Sequence, residues 1–311
     1  MAERIRLGLP RALLYYWFAP LWEAFFGVLG VRPIVSPETN KALLGLGLKA
    51  ALDDVCLPVK LFLGHAAYLS AQCDVLMVPH LISLENRAFT CPKFMGLPDL
   101  VRQALPGART MTARVDIRGG ATWEMSAREA AAALGFRGGS FLKAWRAARA
   151  AQAEYGEALR SGTALGLPPG TETGPNLAVL GHPYCLYDRF INMDLLNRLA
   201  AAGCRVITPE MLPASAIEEG LAYLPKSLFW SFGRRQLGAA YHLLGAGRCD
   251  GIVHATAFAC GPEALVGELA EKAAARWRVP MLRLHLDEHT GEAGFLTRLE
   301  AFLDMIGRWR R

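Results

Sequence analysis

Residues 7–38 read LGLPRALLYYWFAPLWEAFFGVLGVRPIVSPE, and residues 180–210 read LGHPYCLYDRFINMDLLNRLAAAGCRVITPE. Laid side by side, the two stretches decide the fold. Each runs Leu-Gly-x-Pro, then a helix-length segment, then a glycine, then a β-branched run closing on Pro-Glu. Gly8, Pro10, Gly30, Pro37 and Glu38 match Gly181, Pro183, Gly203, Pro209 and Glu210, with one residue of slippage. The correspondence continues downstream. CDVLMVP (73–79) answers CDGIVHA (249–255), and each is followed by a cysteine turn, TCPKF at 90–94 and ACGPE at 259–263. ARTMTARVD (108–116) and VPMLRLHLDE (279–288) close the two halves as strands.

Each half therefore reads as strand, helix, strand, helices, strand, cysteine turn, helix, strand. Short β-branched runs alternating with longer helical stretches predict parallel βαβ units. The expected fold is α/β: two pseudo-repeated flavodoxin-like or Rossmann-like parallel-sheet domains joined by a helical linker. The segment SAREAAAALGFRGGSFLKAWRAARAAQAEYGEALRSG (126–162), rich in Ala and Arg, reads as that linker and runs into the loop LGLPPGTETGPN (165–176). The expected boundaries are 1–120 for the first half, 121–175 for the helical connector and loop, and 176–311 for the second half.

Composition narrows the function classes. A chain of 311 residues, 52% hydrophobic and 20% charged, has the material for well-buried cores and argues against disorder. Its 34 Lys and Arg against 28 Asp and Glu give a net charge of only +6, with no lysine run or basic stripe, so no nucleic-acid face is expected. ALLYYWFAPLWEAFFGVLGV (12–31) carries a single charge, Glu23, and is long enough to span a bilayer. Its partner in the repeat, CLYDRFINMDLLNRLAAAG (185–203), carries Asp188, Arg189, Asp194 and Arg198 and belongs in water. The first-half helix is accordingly expected to be buried or at a subunit interface rather than in a membrane. MAERIRLGLP lacks the form of a secretory signal, and seven cysteines without tight spacing do not make a disulfide framework. A cytoplasmic, reducing setting is expected.

The cysteines fall into two sets. Open α/β sheets bind ligands at the carboxyl ends of their strands, and Cys91 and Cys260 fall there, each just before a helix that starts near a proline. Free N–H groups and the partial positive charge of a helix N-terminus favour thiolate, the form that binds metal. Cys56, in LDDVCLPVK (52–60), repeats the pattern but has no cysteine counterpart in the second half, where LFWSFGRR (228–235) runs. Cys185, in the turn GHPYCLYD (181–188), is the fourth candidate. Cys73 and Cys249 precede strands, at the opposite end of the sheet, and Cys204 reads as packing. With no CxxC pair, the residues leave two readings open: a metal or cluster site, or small buried hydrophobes. His289 and Glu288, in LDEHTGEAG (286–294), follow the last strand and are candidates for proton supply, against the plainer reading that Asp287 or Thr290 caps the next helix. Lys60 and Lys93 are candidates for offsetting a negatively charged cluster or holding an anionic substrate. His182 and Tyr184 line the site or fix their turn.

GLPRALLYYWFAPLWEAFF, SPETNK, CLPVKLFLGH, FTCPKFMGLPDLV, GHPYCLYD, FACGPEALV and LDEHTGEAGFLTRLEAFLDM together resemble the acyl-CoA dehydratase activase-related family. That family is similar to the D-component subunits of 2-hydroxyacyl-CoA dehydratases and to double-cubane cluster proteins, and the resemblance covers nearly the whole chain. It implies an iron–sulfur protein whose [4Fe–4S] or related cluster is held by cysteines in the cleft between two flavodoxin-like domains. It also implies an ATP-hydrolysing activator of the sugar kinase/Hsp70/actin type, which supplies one low-potential electron for reducing a substrate such as a CoA thioester. Carried over motif by motif, the ligands are Cys56 in CLPVK, Cys91 in TCPKF and Cys260 in ACGPE. A fourth position is left to water, substrate or Cys185, although relatives often carry Asn in the GHPY turn. Double-cubane relatives use six cysteines, and this chain does not offer six in suitable positions; a cluster shared across a homodimer would supply more. The sequence has no P-loop, so ATP hydrolysis falls to the partner. The alternative is a non-catalytic small-molecule-binding or zinc-binding scaffold, with Cys56, Cys91, Cys260 and Cys185 as a closed set of four ligands.

Overall fold

In the computed structural model, which describes residues 5–165 and 174–309, the two repeated stretches become two sheets of the same topology. The first half contains β1 (Arg6–Leu9), α1 (Tyr15–Val28), β2 (Arg32–Val35), α2 (Lys41–Ala50), α3 (Leu57–Ser70), β3 (Val75–Ser83), α4 (Pro92–Met95), α5 (Leu97–Ala104) and β4 (Thr110–Asp116). Helices α6 (Trp123–Ala133) and α7 (Gly139–Arg160) follow. The second half contains β5 (Asn176–Leu180), α8 (Pro183–Tyr187), α9 (Leu195–Ala201), β6 (Arg205–Ile207), α10 (Ala214–Leu221), α11 (Ser231–Gly245), β7 (Gly251–Ala257), α12 (Gly261–Trp277), β8 (Met281–Leu286) and α13 (Glu292–Trp309). The sheets run β2-β1-β3-β4 and β6-β5-β7-β8, parallel throughout. The expected α/β fold of two pseudo-repeated parallel sheets is what the chain adopts, in the flavodoxin-like strand order.

The chain divides into two compact units, residues 1–157 and 158–311. The segment read as a connector splits across this division. Ala127, Ala130 and Ala131 of α6 and Phe141, Ala144 and Ala148 of α7 share one core with Leu7, Phe25, Phe26 and Met77, so these helices cover the first sheet. Most of the loop beyond them, residues 166–173, lies outside the described residues. The second unit has its own core, in which Ala178, Leu180, Leu237, Ile252 and Val266 are all buried.

Helix α1 is the greasy stretch that raised the membrane question. Phe25 and Phe26 are fully buried and Leu21 and Trp22 nearly so, and burial of each such side chain contributes roughly 1.5–3 kcal/mol. Among the described residues no helix is long and apolar enough to cross a membrane.

Two features repeat between the units although no motif announced them. The Asp74 carboxylate accepts from the Arg6 N–H at 2.8 Å, and the Asp250 carboxylate accepts from the Asn176 N–H at 2.7 Å. Each ties the amino end of a third strand to that of the first. Helix pairs α2/α3 and α10/α11 cross at backbone distance. A Cβ on Gly47 would overlap the carbonyl of Lys60, and one on Gly64 that of Leu43. In the second unit a Cβ on Gly220 would overlap the carbonyl of Gly238. Only glycine permits that approach.

Candidate functional site

A helix that returns to a parallel strand runs antiparallel to it, so its N-terminus lies at the carboxyl ends of the strands. Helix α3, which leads into β3, and helix α4, which leaves it, therefore both begin at the ligand side of the first sheet. Cys56 is the N-cap of α3 and Cys91 the N-cap of α4, each followed by a proline in the first turn. Pro suits that position because its missing N–H has no helical partner there. Thr90 anchors the second turn: its N–H donates to Ile82 O at 2.9 Å, and its hydroxyl bonds Leu81 O.

The two thiols feel one another. Burial pushes the Cys56 thiol up to about 11, and the charge of Cys91 adds to the rise, while the N–H of Val59 and the Lys93 ammonium oppose it. Burial likewise raises Cys91, against the N–H groups of Phe94 and Lys93 and the Lys93 ammonium. Both are thiols at neutral pH, and a bound cation would supply the charge that turns them into thiolates. Lys93 thus acts on both sulfurs. Lys60, one turn into α3, is 5% exposed.

In the second unit Cys260 is the N-cap of the 17-residue helix α12. It lines an open depression of about 330 Å³ with Thr256, Phe258 and His285. Ala259, just before it, has φ +62°, a left-handed conformation that costs a non-glycine residue free energy of order 1 kcal/mol. Cys185 lies in α8 and is wholly buried among the core side chains. His289 is exposed on the loop after β8, and Glu288 is half-buried beside it. There Asp287 Oδ1 accepts from the His289 N–H at 2.8 Å and from the Thr290 hydroxyl at 2.9 Å. The histidine in the depression with Cys260 is His285, which the sequence reading passed over.

Behind the Cys260 turn lies a buried polar network that also went unread. Glu263 Oε1 accepts from Gln236 Nε2 at 2.6 Å, and Glu263 Oε2 lies 2.8 Å from His254 Nε2. His182 Nδ1 is 3.0 Å from Glu263 Oε1 but out of line for a hydrogen bond. Tyr184 stacks on the His182 ring, centroids 4.8 Å apart, and Phe232 meets its edge at 5.0 Å. Burial works to raise the Glu263 carboxyl, yet His182, His254 and Gln236 outweigh it and hold the pKa below its ordinary value. Burial lowers His182, against the pull of Glu263. His182 and Tyr184 are thus both buried, stacked on one another beside this network. The signal available in the sequence was His254, the one ionisable residue inside the otherwise uncharged strand GIVHATA.

Of the sequence-derived candidates, Cys56, Cys91 and Lys93 come together in the first unit, and Cys260 and Cys185 belong to the second. Thiols on helix N-termini with N–H groups and a lysine beside them suit a metal cluster as donors. Among the described residues, no group of three or more His, Cys, Asp or Glu side chains stands where it could hold a metal ion. No disulfide joins the seven cysteines.

The fold and these turns define a protein of two flavodoxin-like units in which three helices, α3, α4 and α12, begin at a cysteine. The family model described as CoA enzyme activase uncharacterised domain (DUF2229) matches residues 6–212, and the chain belongs to that family. The match contains Cys56, Cys91 and Cys185, and Cys260 lies beyond it. No curated protein matches the chain. Among solved structures it is similar to the SBP FpvC from Pseudomonas aeruginosa in complex with Ni2+, at 13% identity over 98% of this chain and 96% of that one, TM-score 0.29. The same SBP with Mn2+ gives 13% identity, 98% of each chain and a TM-score of 0.29. A mutant of FpvC from Pseudomonas aeruginosa gives 16%, 98% of each chain and 0.26. At such TM-scores the likeness carries no argument about ligand or activity.

Proposed function

We propose that the protein is a low-potential redox component, a reductase-like or dehydratase-like subunit that works in the cytoplasm with an iron–sulfur cluster. The observation that carries this reading is the pairing of Cys56 and Cys91 on two helix N-termini, with the Lys93 ammonium acting on both. The ligands proposed are Cys56, Cys91 and Cys260, with the fourth position left to substrate, water or Cys185. Such a cluster supplies one-electron reduction at low potential, tuned by hydrogen bonds and exposure. This chain's own residues do the rest. The N–H groups of Val59 and Phe94 and the Lys93 charge favour the ionised sulfurs. Glu263 braces the Cys260 turn from behind through His254 and Gln236. His285 beside Cys260, and His289 with Glu288 on the following loop, are the groups that hand a proton to a reduced product. The family's description as a CoA enzyme activase domain supports a CoA thioester as substrate and an ATP-hydrolysing activator of the sugar kinase/Hsp70/actin type as electron donor.

The test is anaerobic reconstitution with iron and sulfide, followed by reduction with a low-potential donor and electron paramagnetic resonance. The expected result is a one-electron signal that Cys56→Ala and Cys260→Ala each abolish. A protein that takes up stoichiometric zinc on four cysteines and gives no paramagnetic signal would instead be the scaffold.

A further inference from the structure

Both sheets reverse their strand order between the first and third strands, β1/β3 and β5/β7, and open α/β sheets receive ligands at that point. In the second unit the place is occupied by His182 after β5, His254 in β7, and Glu263. In the first unit it is a partly open apolar cavity of about 50 Å³. Leu9 and Pro10 at the end of β1, Met77 and Leu81 of β3, and Phe18 and Trp22 of α1 form its walls. Ala19 and Ala113 leave the space that larger side chains would fill. The lining carries no charge. Its polar side-chain groups are the Tyr15 hydroxyl, which donates to Glu23 Oε1 at 3.1 Å, and the indole N–H groups of Trp22 and Trp123. At roughly 10–15 Å³ per water-sized group, the space takes about three to five carbon atoms, and so apolar a lining gives water too few partners.

The cavity is joined to the cysteine turns. Leu81, in its wall, has its carbonyl bonded by Thr90, the residue before Cys91. Phe62, also in its wall, is on α3, whose N-cap is Cys56. We propose that this cavity binds a short alkyl group, about three to five carbons long, as the tail of an acyl substrate whose carbonyl end lies toward the Cys56 and Cys91 turns. The acyl identity rests on the redox reading above, whereas binding of an alkyl group does not.

Metal-free protein carrying 13C-methyl methionine tests it, because Met77 lines the cavity and Met111 does not. Titration with isobutanol should shift the Met77 methyl resonance along a saturable curve and leave Met111 in place. Ala19→Leu, at a half-buried position, should weaken binding at least tenfold with the other methyl signals unmoved, and Ala113→Val is the second filling variant. No Met77 response up to the solubility of isobutanol, or an equal response in a folded filling variant, would overturn the proposal. Isobutyryl-CoA should compete with isobutanol, and its failure to do so would remove the acyl assignment alone. Alkyl binding by a protein that never takes up iron would leave the cavity assigned and the redox reading refuted.

Discussion

His65 turns acid into a measurable loss of stability. It is wholly buried on α3, with Nδ1 2.7 Å from Ser36 Oγ and Nε2 3.1 Å from Thr39 Oγ1. Burial first, and the Arg11 guanidinium second, lower its pKa from 6.5 to about 4. Between those values the unfolded chain binds a proton that the folded chain refuses, so stability falls as pH falls. Linkage gives a loss of about 2 kcal/mol between pH 7 and pH 5, and about 3 kcal/mol by pH 4, from this one group. The assay is urea unfolding followed by tryptophan fluorescence at pH 7 and pH 5, in the natural chain and in His65→Gln. Glutamine keeps a hydrogen-bonding group near the two hydroxyls without titrating there. His80, His182 and His285, whose pKa values burial also lowers, contribute equally to both proteins and cancel in the comparison. The variant should lose about 2 kcal/mol less than the natural chain over this range. Equal losses would refute the assignment of His65 as a neutral, buried group.

Gly64→Ala should destabilise the first unit by roughly 1–3 kcal/mol or more, because the added methyl meets the Leu43 carbonyl, which belongs to backbone and moves little; unchanged urea midpoints would contradict the close crossing. In metal-free protein Cys56, pushed from 9.0 to about 11, should react with iodoacetamide about 100-fold more slowly than a free cysteine at pH 7.5 on thiolate fraction alone. Lys93→Ala should slow it further, and a rate matching free cysteine would show the thiol to be neither buried nor raised. Glu263→Ala should cost the second unit roughly 3–5 kcal/mol, since it leaves buried His182, His254 and Gln236 without their shared carboxylate. A loss under about 1 kcal/mol would mean that the network braces nothing.

The parallel sheets were legible because the repeat of Gly8, Pro10 and Pro37 with Gly181, Pro183 and Pro209 forces one topology on both halves. The placement of Cys56, Cys91 and Cys260 followed from the same frame, since a proline after a cysteine marks a helix start. What stayed hidden depends on partners remote in sequence. The face of α6 formed by Ala127, Ala130 and Ala131 can be read as apolar, but periodicity does not say that it covers the first sheet. Gly47 and Gly64 read locally as weak helix formers, and only the crossing of α2 over α3 gives them a purpose. Glu263 looks like an ordinary acidic residue in a helix's first turn, and its burial follows from Gln236 and His254 on other elements. His65 and His285 sit in stretches whose neighbours explain them without a charge to place.

Whether Cys56, Cys91 and Cys260 hold an iron–sulfur cluster is read most simply from the iron and acid-labile sulfide content of the protein purified without oxygen, beside Cys91→Ser. The account predicts a brown protein with matching iron and sulfide, and a variant that loses both while keeping its fold. A colourless natural chain, free of iron and sulfide even after reconstitution, would contradict it.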